Sequence, residues 1–193
     1  MRDLILSSGF LAFARHTGVL DAVRERGVEI GGVVGSSSGA LAGAFFAAGY
    51  SPDEIAEELS SRRPLGYFRL SPTPWRGAFS LRHVVTHLRN RLPATFDDLE
   101  RPLALGVATR ERGELRHALI TSGSLADAVA ASCAIPWVFS PVRIDGVPWI
   151  DGGFADRLGL TEWRKWRPGK RAWVHCVESS RGWHRRRRTT ISR

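Results

Sequence analysis

A serine with a glycine two positions away on each side is the first candidate for chemistry in this sequence. Ser37 lies in the stretch Val33-Val34-Gly35-Ser36-Ser37-Ser38-Gly39-Ala40-Leu41, which contains the pattern Gly-x-Ser-x-Gly. An apolar run, a tight turn and a helix, in that order, are the setting of a nucleophile elbow. A serine on so sharp a turn crowds the residues two positions away, so both must lack a Cβ. Gly35 and Gly39 meet that requirement.

The same Gly-Ser-Ser-Ser-Gly segment could instead be a flexible connector. A connector would lie between polar segments, whereas two valines precede this one and an apolar, alanine-rich run follows it. We therefore predict a strand, a turn and a helix. A helix that begins near Ser38 would point its amides and the positive end of its dipole toward the reacting centre.

Ser37 needs a base, because a serine hydroxyl is a poor nucleophile until its proton is accepted. Histidine is the usual base, but none of the six histidines has a recognisable catalytic context: His16, His83, His87, His117, His175 and His184. Asp151 follows an apolar run and precedes Gly152 and Gly153, so its carboxylate could lie at a strand end with little hydration. Desolvation would raise its pKa and make it a candidate base near neutral pH. The residues alone leave the base open.

Strands and helices alternate around these residues. Residues 4–6 predict a buried strand, residues 14–26 a helix, and residues 30–34 a second strand. A strand, a helix and a strand of these lengths form a right-handed parallel unit. The loops after Ser7 and Val34 would then leave the same carboxyl edge of the sheet, where ligands bind in open α/β sheets.

The rest of the chain predicts one further long loop and several short elements. Residues 61–79 contain prolines and aromatic residues and could form a lid over the site or a surface connector. His83 and His87 stand one helical turn apart and could bind a metal, but no third ligand is evident, so no metal site is predicted. The remaining predictions are a helix capped by Ser51 and Glu54, a helix over 81–91, strands over 103–109 and 115–121, a helix from Ser124, a hairpin turn at 144–147 and a strand over 172–177.

Length and charge indicate one domain with a basic tail. The chain has 193 residues and a formal net charge of +9. Residues 181–193 hold six arginines and no acid, which leaves +3 for the rest. We predict a single domain over residues 1–180 and a disordered, arginine-rich tail over 181–193. Two distant cysteines suggest no disulfide framework, and the N-terminus lacks a signal-peptide pattern, so a cytoplasmic protein is expected.

The basic tail also bears on partners. Arg185 to Arg188 adjoin Trp183, and this segment could contact an anionic membrane surface. The alternative is a solvated, disordered end. The part before the tail has no basic stripe, which argues against nucleic-acid binding.

Other short motifs accompany the Gly-x-Ser-x-Gly and Asp151-Gly152-Gly153 patterns in a fixed order. They are Leu4-Ile5-Leu6-Ser7, His16-Thr17-Gly18-Val19-Leu20, Ala47-Ala48-Gly49-Tyr50-Ser51-Pro52 and Ala131-Ser132-Cys133-Ala134-Ile135-Pro136. Over most of residues 3–153 the chain thus resembles the patatin-like phospholipases, serine acyl hydrolases with a Ser–Asp dyad. The resemblance implies a three-layer α/β/α sandwich with a mainly parallel central sheet. It also implies Ser37 as nucleophile, Asp151 as base and no metal or organic cofactor.

The loop that would form the oxyanion hole departs from the family pattern Gly-Gly-Gly-x-Arg-Gly. Here the aligned residues are Ser8-Gly9-Phe10-Leu11-Ala12-Phe13. Backbone amides form the hole, so Gly9 and Phe10 are the expected donors, and Arg15 could substitute for the arginine missing at Ala12. Phe10 would either strain the loop at a positive φ or keep an ordinary φ and line an acyl pocket with its ring. Beyond Gly153 the resemblance fades.

The resemblance therefore implies a serine acyl hydrolase that cleaves lipid acyl esters through an acyl-enzyme. Two alternatives remain: a weak or inactive relative that binds lipid or a partner protein, and an acyltransferase that uses the same dyad. Nothing in the sequence indicates the head group, the acyl-chain length or the oligomeric state.

Overall fold

A computed structural model describes residues 1–60, 69–72 and 74–177 of the chain. The predicted tail, the last three residues of the predicted domain and residues 61–68 and 73 of the predicted loop lie outside this part. The strands are β1 (Arg2–Leu6), β2 (Ile30–Ser36), β3 (Arg69–Leu70), β4 (Phe79–Ser80), β5 (Leu103–Glu111), β6 (Glu114–Ile120), β7 (Val142–Ile144), β8 (Val147–Asp151) and β9 (Ala172–His175). The helices are α1 (Phe13–Glu25), α2 (Ser38–Ala47), α3 (Pro52–Ser60), α4 (Arg82–Arg89), α5 (Leu125–Ser132) and α6 (Leu160–Trp166).

Seven strands of the described ranges form the central sheet. Its order is β7-β8-β5-β2-β1-β9, and β6 pairs with β5 outside that path. The neighbours β5, β2, β1 and β9 run parallel to one another, whereas β6 and β8 run antiparallel to β5. Parallel strands joined by helices direct their carboxyl ends to one edge of the sheet, and β1 and β2 end there.

Strands β2 and β8 share one edge of β5. The opposite edge carries β6 from Leu105 to Glu111. On the shared edge, β2 pairs as far as Ser36 with Gly106, and β8 begins at the next position with Asp151 opposite Val107. Strand β2 runs parallel to β5 and β8 runs antiparallel to it. The last residue of β8 therefore lies next to the last residue of β2 along this edge. The topology therefore brings Asp151 beside the turn that follows β2.

Helices cover both faces of the sheet and complete three layers. On one face, α1 to α5 pack over the large apolar cluster that includes Leu4, Leu6 and Val33. On the other face, α6 packs its Trp163 ring against Ile5 and Val34. The predicted fold class, a three-layer α/β/α sandwich with a mainly parallel central sheet, is confirmed. None of the helices in the described residues is long and apolar enough to cross a bilayer.

Buried Asp3 attaches α6 to the sheet. Its carboxylate, in β1, accepts a hydrogen bond from the Trp163 indole N–H at 2.9 Å and from the Arg167 guanidinium at 3.1 Å. A carboxylate that is 1% exposed requires such partners, since an unpaired buried charge is costly.

Most predicted elements occur close to their predicted bounds. Two differ. The segment 61–79 was predicted as irregular, yet in its described part Leu70 pairs with Phe79 in a short antiparallel ladder. Helix α6 was not predicted, because it begins after Gly159 in a left-handed conformation and lacks the Ser, Thr, Asp or Asn cap that indicates a helix start.

Candidate active site

Ser37 occupies the sharp turn between β2 and α2. Its backbone has φ 56° and ψ −118°. This conformation costs a non-glycine residue on the order of 1–3 kcal/mol and persists only where the surrounding structure enforces it. The turn directs the serine out of the strand at the carboxyl edge of the sheet, which is the geometry expected of a nucleophile elbow.

The glycines on either side of Ser37 allow close approach of the backbone. A Cβ on Gly35 would lie 2.3 Å from the carbonyl oxygen of Gly39. A Cβ on Gly39 would lie 2.3 Å from the carbonyl oxygen of Leu6, at the end of β1. Both contacts are with backbone that cannot move aside, so the elbow requires glycine at both positions.

The Asp151 carboxyl faces this turn from the end of β8. It is 3% exposed and accepts a hydrogen bond from the Gly153 N–H at 2.8 Å, and the Ser37 hydroxyl lies beside it. Burial raises the pKa of Asp151, whereas the Ser37 hydroxyl and the Gly153 N–H favour the charged form and oppose that rise. The result is a largely desolvated carboxylate beside a serine hydroxyl.

The glycines after Asp151 are also required by packing. A Cβ on Gly152 would lie 2.4 Å from the Gly106 carbonyl carbon, and one on Gly153 would lie 2.4 Å from the Ser8 hydroxyl oxygen. The loop after β1, the turn after β2 and the turn after β8 therefore meet at one place. These are the segments in which the sequence predicts the oxyanion donors, the nucleophile and the base.

The loop after β1 is tied down at its start. The Ser7 N–H donates to the His175 carbonyl and the Ser8 N–H to the Arg157 carbonyl, both at 3.0 Å. Phe10 does not have a positive φ, and the left-handed residue of this loop is Leu11, with φ 51°. Backbone strain at Phe10, one of the two expectations for this residue, is therefore wrong. The Phe10 ring is 82% exposed beside the site.

Arg157 supports this loop. Its guanidinium donates to the Ser8 carbonyl at 2.9 Å and lies 3.4 Å from the Ser8 hydroxyl oxygen. Arg15, the residue expected to substitute for the missing loop arginine, is exposed on α1. The Arg157 guanidinium reaches Ser8 from 149 residues further along the chain. No local sequence pattern points to Arg157 as the partner of Ser8.

Three of the histidines contact side chains other than Ser37 and Asp151. His16 Nδ1 lies 2.9 Å from His175 Nδ1, and His87 Nε2 lies 2.6 Å from the Glu58 carboxylate. Within the described ranges, no three His, Cys, Asp or Glu side chains cluster in a way suited to a metal ion. His83 and His87 therefore have no third ligand in that part of the chain.

Cys133 also adjoins the site. Its Sγ donates to the Ser37 carbonyl at 3.3 Å. Burial, together with the negative charge of Asp151, raises the pKa of the Cys133 thiol well above its usual range. A thiol is a weak nucleophile compared with a thiolate, so Ser37 is the better candidate of the two.

Comparisons with known proteins agree with this arrangement. The sequence model of the family described as "Patatin-like phospholipase" matches residues 4–162. Uncharacterized NTE family proteins of Mycobacterium bovis and Mycobacterium tuberculosis are 34% identical to the chain over 160 residues, which cover 81% of this chain and 44% of the relative. The chain thus spans less than half the length of these relatives.

A solved structure is similar in fold. VipD from Legionella pneumophila matches 80% of this chain and 46% of its own, with a TM-score of 0.54 and 18% sequence identity. The family match extends from β1 into α6 and includes the turns after β1, β2 and β8. This chain belongs to the patatin-like phospholipase family.

Proposed function

We propose that this chain is a lipid acyl hydrolase that forms an acyl-enzyme on Ser37, with Asp151 as the general base. One observation carries the proposal: a serine in a strained strand-to-helix turn places its hydroxyl beside a carboxylate that is 3% exposed, and this hydroxyl lowers the pKa of that carboxylate. A nucleophile within hydrogen-bond reach of a desolvated base is the arrangement that activates a hydroxyl.

The reaction proceeds in two steps. Asp151 accepts the Ser37 proton while the serine oxygen attacks the ester carbonyl, and the protonated Asp151 then returns that proton to the departing alcohol. In the second step Asp151 accepts a proton from water, whose oxygen attacks the acyl-enzyme, and Ser37 regains a proton as the fatty acid leaves. The Gly9 and Phe10 amides are the proposed donors to the oxyanion in both steps.

The pKa of Asp151 suits this role. Burial raises the pKa of Asp151, so its carboxylate accepts a proton more readily than that of an exposed aspartate. The Ser37 hydroxyl and the Gly153 N–H favour the charged carboxylate, which is the form that acts as a base.

Exposed apolar side chains near the dyad support an acyl substrate. Phe10 and Leu11 project from the loop after β1, and Phe154 follows Gly153. The Trp137 ring lies 5.9 Å from the Phe154 ring and is 78% exposed. Large apolar groups exposed together on a protein surface indicate a binding site for an apolar ligand or surface.

A fluorophosphonate probe, which modifies activated serines, tests the proposal. We expect labelling of the wild-type chain at Ser37 and hydrolysis of a short-chain ester. Ser37→Ala abolishes both, and Asp151→Asn lowers kcat by about 10³-fold or more, because the two residues act as one unit. An unlabelled wild-type chain, or a Ser37→Ala variant that keeps its esterase activity, would contradict the proposal.

A second candidate is a weak or inactive lipid-binding relative. Its support is the loop after β1, where Ser8, Phe10 and Phe13 stand in place of glycines of the family pattern and Ala12 stands in place of its arginine. Binding of a fluorescent fatty acid by Ser37→Ala, together with an absence of turnover in the wild type, would favour this candidate.

A further inference from the structure

The carboxyl end of α5 contacts the backbone of both Ser37 and Asp151. Ser132, the last residue of α5, is fully buried. Its Oγ accepts a hydrogen bond from the Ser37 N–H at 2.9 Å and donates to the Gly106 carbonyl at 2.7 Å. This hydroxyl therefore connects the elbow to β5.

The bridge lies where the neighbour of β5 changes. Gly106 is the last residue of β5 to pair with β2, and the following residue, Val107, pairs with Asp151 of β8. At this point the chain of β2 turns away at Ser37. Buried backbone N–H and C=O groups require hydrogen-bond partners. Where β2 and β5 separate, the Ser132 hydroxyl is the partner of the Ser37 N–H and of the Gly106 carbonyl.

The two residues after Ser132 extend the contact. The Cys133 Sγ donates to the Ser37 carbonyl at 3.3 Å. The Ala134 carbonyl accepts the Asp151 N–H at 3.0 Å. Residues 132–134 thus bond the N–H and the carbonyl of Ser37 and the N–H of Asp151.

We propose that Ser132 is a positioning residue that fixes the backbone of Ser37 and thereby orients its hydroxyl toward Asp151. This inference rests on the proposed function, because it assigns Ser132 to support the proposed nucleophile. The Ser37 φ of 56° needs external support, and the Ser132 bridge is a direct contact that provides it. It also commits the Ser37 N–H, so the oxyanion donors must be other amides.

The chain contains a matched control for this hydroxyl. Ser36 immediately precedes the nucleophile and is 1% exposed, and its Oγ has no hydrogen-bond partner among the described residues. Ser36→Ala and Ser132→Ala each remove one buried hydroxyl close to Ser37. Only Ser132→Ala removes a hydrogen bond to the Ser37 backbone.

The test measures kcat and KM on a short-chain ester and the labelling rate with the fluorophosphonate probe. All variants are compared as full chains, well below their melting temperatures. We expect Ser132→Ala to lower kcat and the labelling rate by about 10²-fold with little change in KM, because misplacing a reacting group by about 1 Å has an effect of that size. Ser36→Ala stays within about threefold of wild type. Ser132→Thr, which keeps the hydroxyl, restores kcat to within about tenfold of wild type even where its added methyl lowers Tm.

Several outcomes would overturn the proposal. A folded Ser132→Ala with wild-type kcat and labelling rate would show that the bridge does not position Ser37, while the proposed function would stand. If Ser36→Ala lowered kcat and the labelling rate as much as Ser132→Ala, the effect would come from a cavity at this turn and not from the lost hydrogen bond. If Ser132→Ala yields no folded protein, Ser132→Cys replaces it, because a thiol is a weaker acceptor, and a wild-type kcat for Ser132→Cys would refute the role. An unlabelled wild type would refute both proposals.

Discussion

Lowering the pH should destabilise this protein through His16. The ring is fully buried, and its Nδ1 lies 2.9 Å from Nδ1 of His175. One of these nitrogens must be unprotonated for the other to donate to it, so the pair cannot carry two positive charges without breaking the contact. Burial, and then the charge of His175, lower the pKa of His16 to about 4 from the ordinary value of 6.5.

The size and direction of the effect follow from linkage. Between these two pKa values the unfolded chain binds a proton that the folded chain does not, so stability falls as pH falls. The contribution of His16 is fully present above about pH 6.5 and is lost as the pH approaches 4. A difference of about 2.5 pKa units corresponds to about 3 kcal/mol at 1.36 kcal/mol per unit. Burial lowers the pKa of His175 as well, which acts in the same direction.

Urea unfolding of the full chain at intervals from pH 7.5 to 4.5 measures this loss. His16→Asn offers a polar side chain to His175 but does not titrate, so we expect its free energy of unfolding to vary less with pH, by about 2 kcal/mol or more over this range. The matched control is His83→Ala, at an exposed histidine of α4, which should keep the wild-type slope. An unchanged slope in folded His16→Asn would refute the argument.

Three further outcomes are expected. Phe10→Gly should lower kcat/KM most for longer acyl chains, because the exposed ring offers apolar contact; a uniform rise in kcat over all chain lengths would contradict this. Gly39→Ala should lower Tm sharply or prevent folding, since its Cβ would lie 2.3 Å from the Leu6 carbonyl oxygen, and a soluble variant with wild-type Tm would refute the packing argument. Removing residues 181–193 should leave hydrolysis of a soluble ester unchanged and weaken sedimentation with anionic vesicles, so equal sedimentation of both chains would remove the tail as a membrane contact.

The features that sequence predicts well here depend on nearby residues. The elbow is visible because close packing at one turn forces glycine at two fixed spacings from Ser37. The capping box that starts α3 is equally local: the Ser51 N–H donates to the Glu54 carboxylate at 2.8 Å, and the Glu54 N–H lies 3.3 Å from the Ser51 hydroxyl. The hairpin between β7 and β8 turns at Asp145 and Gly146, both with positive φ, as the Asp-Gly pair predicts.

The supports of the site could not be predicted in this way. Ser132 contacts Ser37 across 95 positions of sequence, and Arg157 contacts Ser8 across 149. A buried serine near the end of an alanine-rich helix is unremarkable until the fold shows which backbone groups it faces. Asp151 was a candidate from its setting, but only the family resemblance favoured it over six histidines. The sequence pattern could not show that β8 pairs with the same edge of β5 as β2, starting at the position where the pairing of β2 ends.

That shared edge gives β8 a strict requirement on register. A slip of one residue along β5 would move Asp151 by about 3.3 Å and turn its side chain to the opposite face of the sheet. Only two residue pairs join β8 to β5, Val107 with Asp151 and Ala108 with Ile150, so this ladder alone fixes the register weakly. The Asp151 N–H bond to the Ala134 carbonyl supplies a further constraint at the carboxylate itself. Residues 132–134, which bond the backbone of the proposed nucleophile, therefore also help fix the strand that carries the proposed base.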